Sequence, residues 1–451
     1  QCHTKLMMQL SKNKKYQYSF FLLIVIYSLF NGGNSNLLIQ INFLLISFFF
    51  IFCLRDKNYN LHFKYFVNEN KRSINFYILF LFYLLFQILP LPIDLIKFFS
   101  PEKYNYLITL NSEFNFTSIS LAPTNSFFQL LNFCSLLIVV FILKMIFYRD
   151  EHKNRFYLFL SFIGFISAFI GTSLYLSGNT DLLNFKNYNN GSVSTGFFIS
   201  RTVFSIFLLF CLVSSLEYLK NSKNYEKNFI TSVYVRLFIV FIAIGLITTF
   251  SRIGNFLLLN TMLFYFINEI FFKKTNKKFS NTILIIILFD LLVLGVYFGS
   301  TRIIDRFLFL ENEFSEILNT DVNLSRFQII KFAFYQTYDY LFFGYGPGSF
   351  EILFQLKFPN LSNYYANHAH SDLFEFIGEF GIVGLVFFLL AIASSFSKSI
   401  NYNLINFLLL FYLFIILIFD FSLHIPLIQF LFVCFFILNQ KFIKLTYDGS
   451  L

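Results

Sequence analysis

Charge is scarce in this chain. Asp, Glu, Lys and Arg make up 13% of its 451 residues, whereas 57% are hydrophobic; soluble domains carry about 25% charged residues. A mean hydropathy of +0.66 agrees. These figures exclude a soluble globular protein and a disordered one. Cysteine is also sparse: Cys2, Cys53, Cys134, Cys211 and Cys434 form no C-x-x-C pair and mostly lie in or beside apolar runs. That excludes a secreted disulfide scaffold and reads as small hydrophobes, not metal ligands. Trp is absent while Phe occurs 73 times and Asn and Lys are frequent. Those codons are rich in A and T, so the bias reads as gene composition and says little about function. No internal repeat is visible. Acidic residues within the apolar runs are too few for an ion-coupled transporter; for Asp290 an interhelical hydrogen bond is a simpler role than a proton relay.

What is present is a series of apolar runs. They cover roughly 18–30, 36–54, 74–90, 126–148, 156–176, 202–219, 237–250, 253–272, 281–299, 381–396, 404–420 and 425–440. Spans of this kind must be helical, because lipid offers no partner to a backbone polar group. The expectation is an all-α polytopic membrane protein, a single membrane domain over 1–451 with about twelve transmembrane helices. The first run follows Lys12, Lys14 and Lys15 like a signal peptide, but no small-residue cleavage site follows, so it reads as a span. The chain begins at Gln1 and not Met, so its true start is expected upstream.

The net charge of +10 belongs to loops and does not point to nucleic acid. With the N-terminus inside, the inner segments hold 23 Lys and Arg against 10 in the outer ones, the asymmetry expected of a cytoplasmic N-terminus. Residues 300–380, inserted before the last three spans, then form one large periplasmic loop containing short helices. Gly344-Tyr345-Gly346-Pro347-Gly348 in that loop is a tight turn; it lacks the strand and the cytoplasmic setting of a nucleotide-binding fingerprint.

Arg201 stands where an outer loop meets a span, and Arg252 lies between two spans with no other polar loop around it. A charged side chain near bilayer depth is costly and often marks a site; snorkelling to the outer headgroups is the alternative. Two arginines at one leaflet suit an anionic group, phosphate above all. His368 and His370 precede the tenth span. With Asp372, and Glu375 or Glu379 to complete the set, they could bind a metal; they could be structural; or a histidine could act as a general base.

His370-Ser371, nine residues, then Gly381-Ile382-Val383-Gly384 is similar to the H-[NSQ]-x9-G-x-x-G signature of the bacterial O-antigen ligase and polymerase superfamily. Gly344 to Phe350 resembles its G-x-G-x-x-x-F turn. Gln87 to Pro92, Ser100-Pro101 and Ser120 to Pro123 resemble its N-terminal patterns. Phe197 to Arg201 and Ser251-Arg252 resemble its two arginine stretches, and Asp420 to Pro426 its closing outer turn. Leu385, where the family often has Thr, Val or Ser, departs from the pattern. The resemblance implies an enzyme of the bacterial inner membrane, working on the periplasmic face, that moves a glycan from undecaprenyl diphosphate to an acceptor hydroxyl. It implies His370 as catalytic base and Arg201 and Arg252 as diphosphate ligands. His368, Asp372, Glu379 and Arg326 are candidates for supporting roles, and neither metal nor other cofactor is expected. Of the branches, a ligase using the lipid A core is favoured by the H-S-x9-G-x-x-G pattern. A polymerase joining two lipid-linked glycans and a transferase to protein hydroxyls share the chemistry. A lipid-linked saccharide flippase is the alternative of another class.

Overall fold

The computed structural model describes residues 2–110, 115–147, 149–178, 181–182, 185–186, 193–221, 229–268, 326–358, 365–399 and 403–440. Sixteen α-helices lie within them. They are α1 (Cys2–Leu29), α2 (Asn36–Leu54), α3 (Lys57–Glu69), α4 (Lys71–Ile88), α5 (Ile93–Phe99), α6 (Pro101–Thr109), α7 (Pro123–Ile146) and α8 (Asp150–Ser177). The remainder are α9 (Arg201–Asn221), α10 (Phe229–Thr248), α11 (Arg252–Ile267), α12 (Arg326–Asp339), α13 (Phe350–Lys357), α14 (Asp372–Ser399), α15 (Leu404–Phe419) and α16 (Pro426–Asn439). Among the described residues, the strands are two-residue pairs, such as Leu91–Pro92 with Phe116–Thr117.

Local chemistry sets many helix ends. The Ser35 hydroxyl accepts from the Leu38 amide at the start of α2, and the Asp56 carboxylate and Ser251 hydroxyl do the same for α3 and α11. Pro123 and Pro426 open α7 and α16, where a missing N–H costs nothing. Gly178 closes α8 in the left-handed conformation.

Helices occupy eleven of the twelve expected spans. The twelfth, 281–299 with Asp290, lies outside the described residues, as do residues 300–325 of the large loop. Six helices (α2, α7, α8, α9, α10 and α14) are long and apolar enough to cross a membrane by length and composition, and α11, α15 and α16 are shorter apolar helices. The chain is an all-α, polytopic membrane protein. The central pillar is α9, buried along nearly its whole length and packed on α8, α10, α11 and α16. Edge-to-face aromatic pairs fill the interior; Phe210 and Phe432 meet with ring centroids 4.9 Å apart at 86°.

Long-range hydrogen bonds define two ends. At one, Tyr59 donates to Asn13, Lys153 and Tyr157 donate to Asn439, and Arg155 donates to Gln17. At the other, the Ile199 amide donates to Asn31, Ser120 N to Gln87 O, Ser194 N to Thr248 O and Asp372 N to Asp420 O. Among the described residues, successive spans alternate in direction up to α11 and again from α14 onward, and every candidate site residue falls at the second end.

Two departures from the expected outline matter. Residues 55–72, expected as a loop, contain α3, which packs against α2 and α7. The helix expected from 381 begins at Asp372, and Gly381 (φ 62°, ψ 178°) interrupts it. Beside that break α12, α13 and the 365–371 turn form a small core of their own, with Tyr345, Phe350, Phe354 and Ala369 buried in it.

Candidate active site

Gly381 explains how the site is assembled. A Cβ there would stand 2.4 Å from Phe342 O and 2.6 Å from Gly344 N, and one on Gly344 (φ 67°) only 2.2 Å from Glu379 O. Bare glycines let the 344–348 turn press its backbone onto α14. Tyr345 N donates to Gly378 O at 2.9 Å and Gly346 N to Glu379 O at 3.1 Å. Gln87 Nε2 donates to Phe343 O and to Glu379 O at 2.7 and 3.0 Å, and Leu121 N donates to Tyr345 O at 3.0 Å. The short family-like patterns at Gln87, Ser120 and Gly344 thus meet in one knot around the start of α14.

Above that knot Asp372, Glu375 and Glu379 project from one face of α14, as the spacing i, i+3, i+7 dictates. All three are fully buried. His424, from the turn between α15 and α16, sits among them. Its Nδ1 bonds the Asp372 carboxylate, and its Nε2 lies 3.4 Å from Glu379 Oε2 and 3.5 Å from Glu375 Oε1. Phe376 stacks on its ring at 4.2 Å. Asp372 Oδ2 also accepts from Leu423 N at 2.8 Å, and Glu379 Oε1 from Gly348 N at 2.6 Å. Burial alone would lower the His424 pKa, but the Glu375 and Asp372 charges outweigh it and hold it well above the ordinary imidazole value. His424 is therefore an imidazolium enclosed by carboxylates.

The 365–371 turn closes over this group. Glu375 Oε2 accepts from Ala369 N at 2.7 Å, and Oε1 pairs with His368 Nδ1 at 2.9 Å. The Ser371 hydroxyl donates to Leu417 O at 3.1 Å. Between these anchors His370 takes φ 57°, a left-handed conformation uncommon outside glycine. Its ring meets Phe421 edge-on at 5.3 Å, and its Nδ1 is buried without a hydrogen-bond partner among the described residues. Burial, and after it the charge of Arg326 at the start of α12, lowers the His370 pKa to about 4. The imidazole is neutral at pH 7, with one ring nitrogen unengaged.

The structure gathers His368, His370, Asp372 and Glu379 into one cluster with Arg326 acting on it. Arg201 and Arg252 form a second group at the same end. They are the first residues of α9 and α11, and the two helix starts adjoin so closely that a Cβ on Gly254 would lie 2.3 Å from Ser205 Oγ. The groups are bridged where Gly32 approaches both Phe198 and Ile425. His368, Glu375 and His424 offer ligating atoms within 4.8 Å of one another, the one set among the described residues suited by composition to a metal; His370 is not in it. Sequence reasoning missed His424, although three acidic residues on one face of an apolar helix call for a buried cation.

No curated protein matches the chain. Residues 237–389, a stretch that contains Arg252, Arg326, His370, Gly381 and Gly384 but neither Arg201 nor His424, match the family model described as O-antigen ligase. Over that stretch, about a third of its length, the chain is similar to the O-antigen ligase family.

Proposed function

We propose that the protein is an O-antigen ligase-type glycosyltransferase, which moves a glycan from undecaprenyl diphosphate to an acceptor hydroxyl of the lipid A core on the periplasmic face of the inner membrane. The observation that carries this reading is His370: a half-buried, neutral imidazole whose buried Nδ1 is unengaged among the described residues, at the same end of the bundle as Arg201 and Arg252. The acceptor oxygen gives its proton to His370 and attacks the anomeric carbon. The bond from that carbon to the diphosphate breaks, and its electron pair leaves on the diphosphate oxygen. Attack from the opposite face inverts the anomeric centre. The departing diphosphate gains negative charge, which Arg201 and Arg252 offset; their helix N-termini add a favourable dipole. Negative charge brought by the donor also counters Arg326, so donor binding makes His370 a better base. The arginines supply the charge that a divalent metal supplies in nucleotide-sugar enzymes.

The test uses purified protein with a lipid-linked glycan donor and defined acceptors. His370→Ala should lose about 10²–10⁴-fold in transfer rate, the usual worth of acid–base catalysis, and keep its donor affinity. Arg252→Ala should weaken both donor binding and turnover. Near wild-type transfer by folded His370→Ala removes the mechanism, and absence of transfer by the folded wild type favours lipid-linked saccharide translocation. Transfer to a second lipid-linked glycan in place of the lipid A core makes the enzyme a polymerase.

A further inference from the structure

We propose that His424 is a positioning residue for this reaction: clamped between Asp372, Glu375 and Glu379, its imidazole locks the 365–371 turn to α14 and to the 420–425 turn and so holds His370 in its left-handed conformation. The inference rests on His370 acting as base and adds the group that aims it. Four chain segments converge on His424 through the contacts already given. Asp372 joins it to Leu423 N, Glu375 to Ala369 N and His368, Glu379 to the glycine turn at Gly348 N. Asp372 N in turn donates to Asp420 O at 2.8 Å. Phe421, three residues before His424, stacks on His368 at 4.9 Å and meets His370 edge-on.

The charges make the arrangement depend on the imidazolium. The groups facing it are Asp372, Glu375 and Glu379 from α14 and His368 from the turn, with ring centroids 5.2 Å apart. Asp420 lies in its own turn and also feels Arg326. The α16 helix adds the neutral Gln429, whose Nε2 donates to Leu423 O at 2.6 Å. The α15 helix carries no charged residue, and α9 has Arg201 at its start. Three buried carboxylates with the central cation removed cannot all stay ionised. Proton uptake or rearrangement follows, Ala369 N loses its fixed acceptor, and nothing then compels His370 into a backbone conformation that it adopts against its own preference. A displacement of about 1 Å at a reacting group costs about 10²-fold in rate.

The experiment compares the full-length wild-type protein with His424→Gln, using two readouts. The first is the pH dependence of His370 modification by diethyl pyrocarbonate, followed by peptide mass spectrometry, which needs no glycan. The second is transfer from a lipid-linked donor. In His424→Gln the midpoint of His370 modification should move up toward that of an exposed histidine, kcat should fall about 100-fold, and the donor KM should change less than about threefold. If His424→Gln does not fold, Asp372→Asn should show the same directions to a smaller extent, since its amide still accepts from Leu423 N but carries no charge. A shifted midpoint in a protein that transfers no glycan supports the positioning and refutes glycosyl transfer. An unchanged midpoint and unchanged kcat in a folded variant overturn the proposal. So does one equivalent of divalent metal bound to the wild type and lost from His424→Gln, which would make His424 a ligand.

Discussion

Replacing Gly381 by Ala strikes the break in α14 that seats the glycine turn beneath the site. At φ 62°, ψ 178° the residue occupies a region essentially confined to glycine, where a side chain costs about 1–3 kcal/mol. The new Cβ would meet Phe342 O at 2.4 Å and Gly344 N at 2.6 Å. Neither atom is at the end of a flexible side chain, and both are engaged: Phe342 O accepts from Val383 N and Gly344 N donates to Tyr340 O. Relief requires the turn to lift from α14 and give up the bonds from Tyr345 N and Gly346 N, about 1 kcal/mol each. The total is about 3–5 kcal/mol, a large share of the 5–15 kcal/mol typical of folded proteins. Gly178→Ala is the matched control, with φ 65° and nothing within 4 Å of the new Cβ; it incurs left-handed strain alone, about 1–2 kcal/mol. The chain has no Trp, so unfolding is best followed with a thiol-reactive dye as the buried Cys53, Cys211 and Cys434 become accessible, at one scan rate. Gly381→Ala should lower Tm clearly further than Gly178→Ala. Equal shifts would refute the claim that backbone contact, and not merely left-handed geometry, reserves this position for glycine.

Three further outcomes are expected. Burial and the Arg326 charge hold His370 at about 4 against about 6.5 in an unfolded chain; the unfolded state binds the extra proton between those values, so stability rises with pH from about 4 to 6.5. The slope of Tm against pH in that window should be steeper for wild type than for His370→Gln. Transfer and melting should survive EDTA; a loss restored by magnesium or manganese would assign His368, Glu375 and His424 to a metal. A cysteine at the exposed Tyr338 of α12 should react with an impermeant thiol reagent in intact spheroplasts, and one at the exposed Asn58 of α3 only after lysis; the reverse pattern would put the site on the cytoplasmic face.

The course of the chain was legible because lipid restricts it: an apolar run of sufficient length has to be helical. Within the site, legibility followed sequence locality. His370, Gly381 and Gly384 stand in one short stretch and could be read together. His424 could not, because it lies alone in a turn 52 residues beyond its partner Asp372, and a pairing across that separation leaves no trace in composition. Nor could the left-handed backbone of His370, which arises from anchors on either side and not from its own side chain. The acidic face of α14 was the available signal, and its meaning depends on burial, which sequence does not state.

Burial also divides the positive charges that a sequence counts alike. The charge of His424 is met by Asp372, Glu375 and Glu379 within the protein, where it is buried. Arg252 and Arg326 are exposed and Arg201 half-buried, each opening a helix at the same end. On the proposed reading an anionic donor is balanced by those guanidiniums, and the imidazolium serves the geometry of the base. Substitutions should divide accordingly: losses at Arg201 and Arg252 fall on donor affinity as well as turnover, while losses in the carboxylate cage fall on turnover with affinity kept. An affinity loss for His424→Gln as large as that for Arg252→Ala would mean that the buried cation is felt by the donor, and the two groups would have to be treated as one electrostatic site.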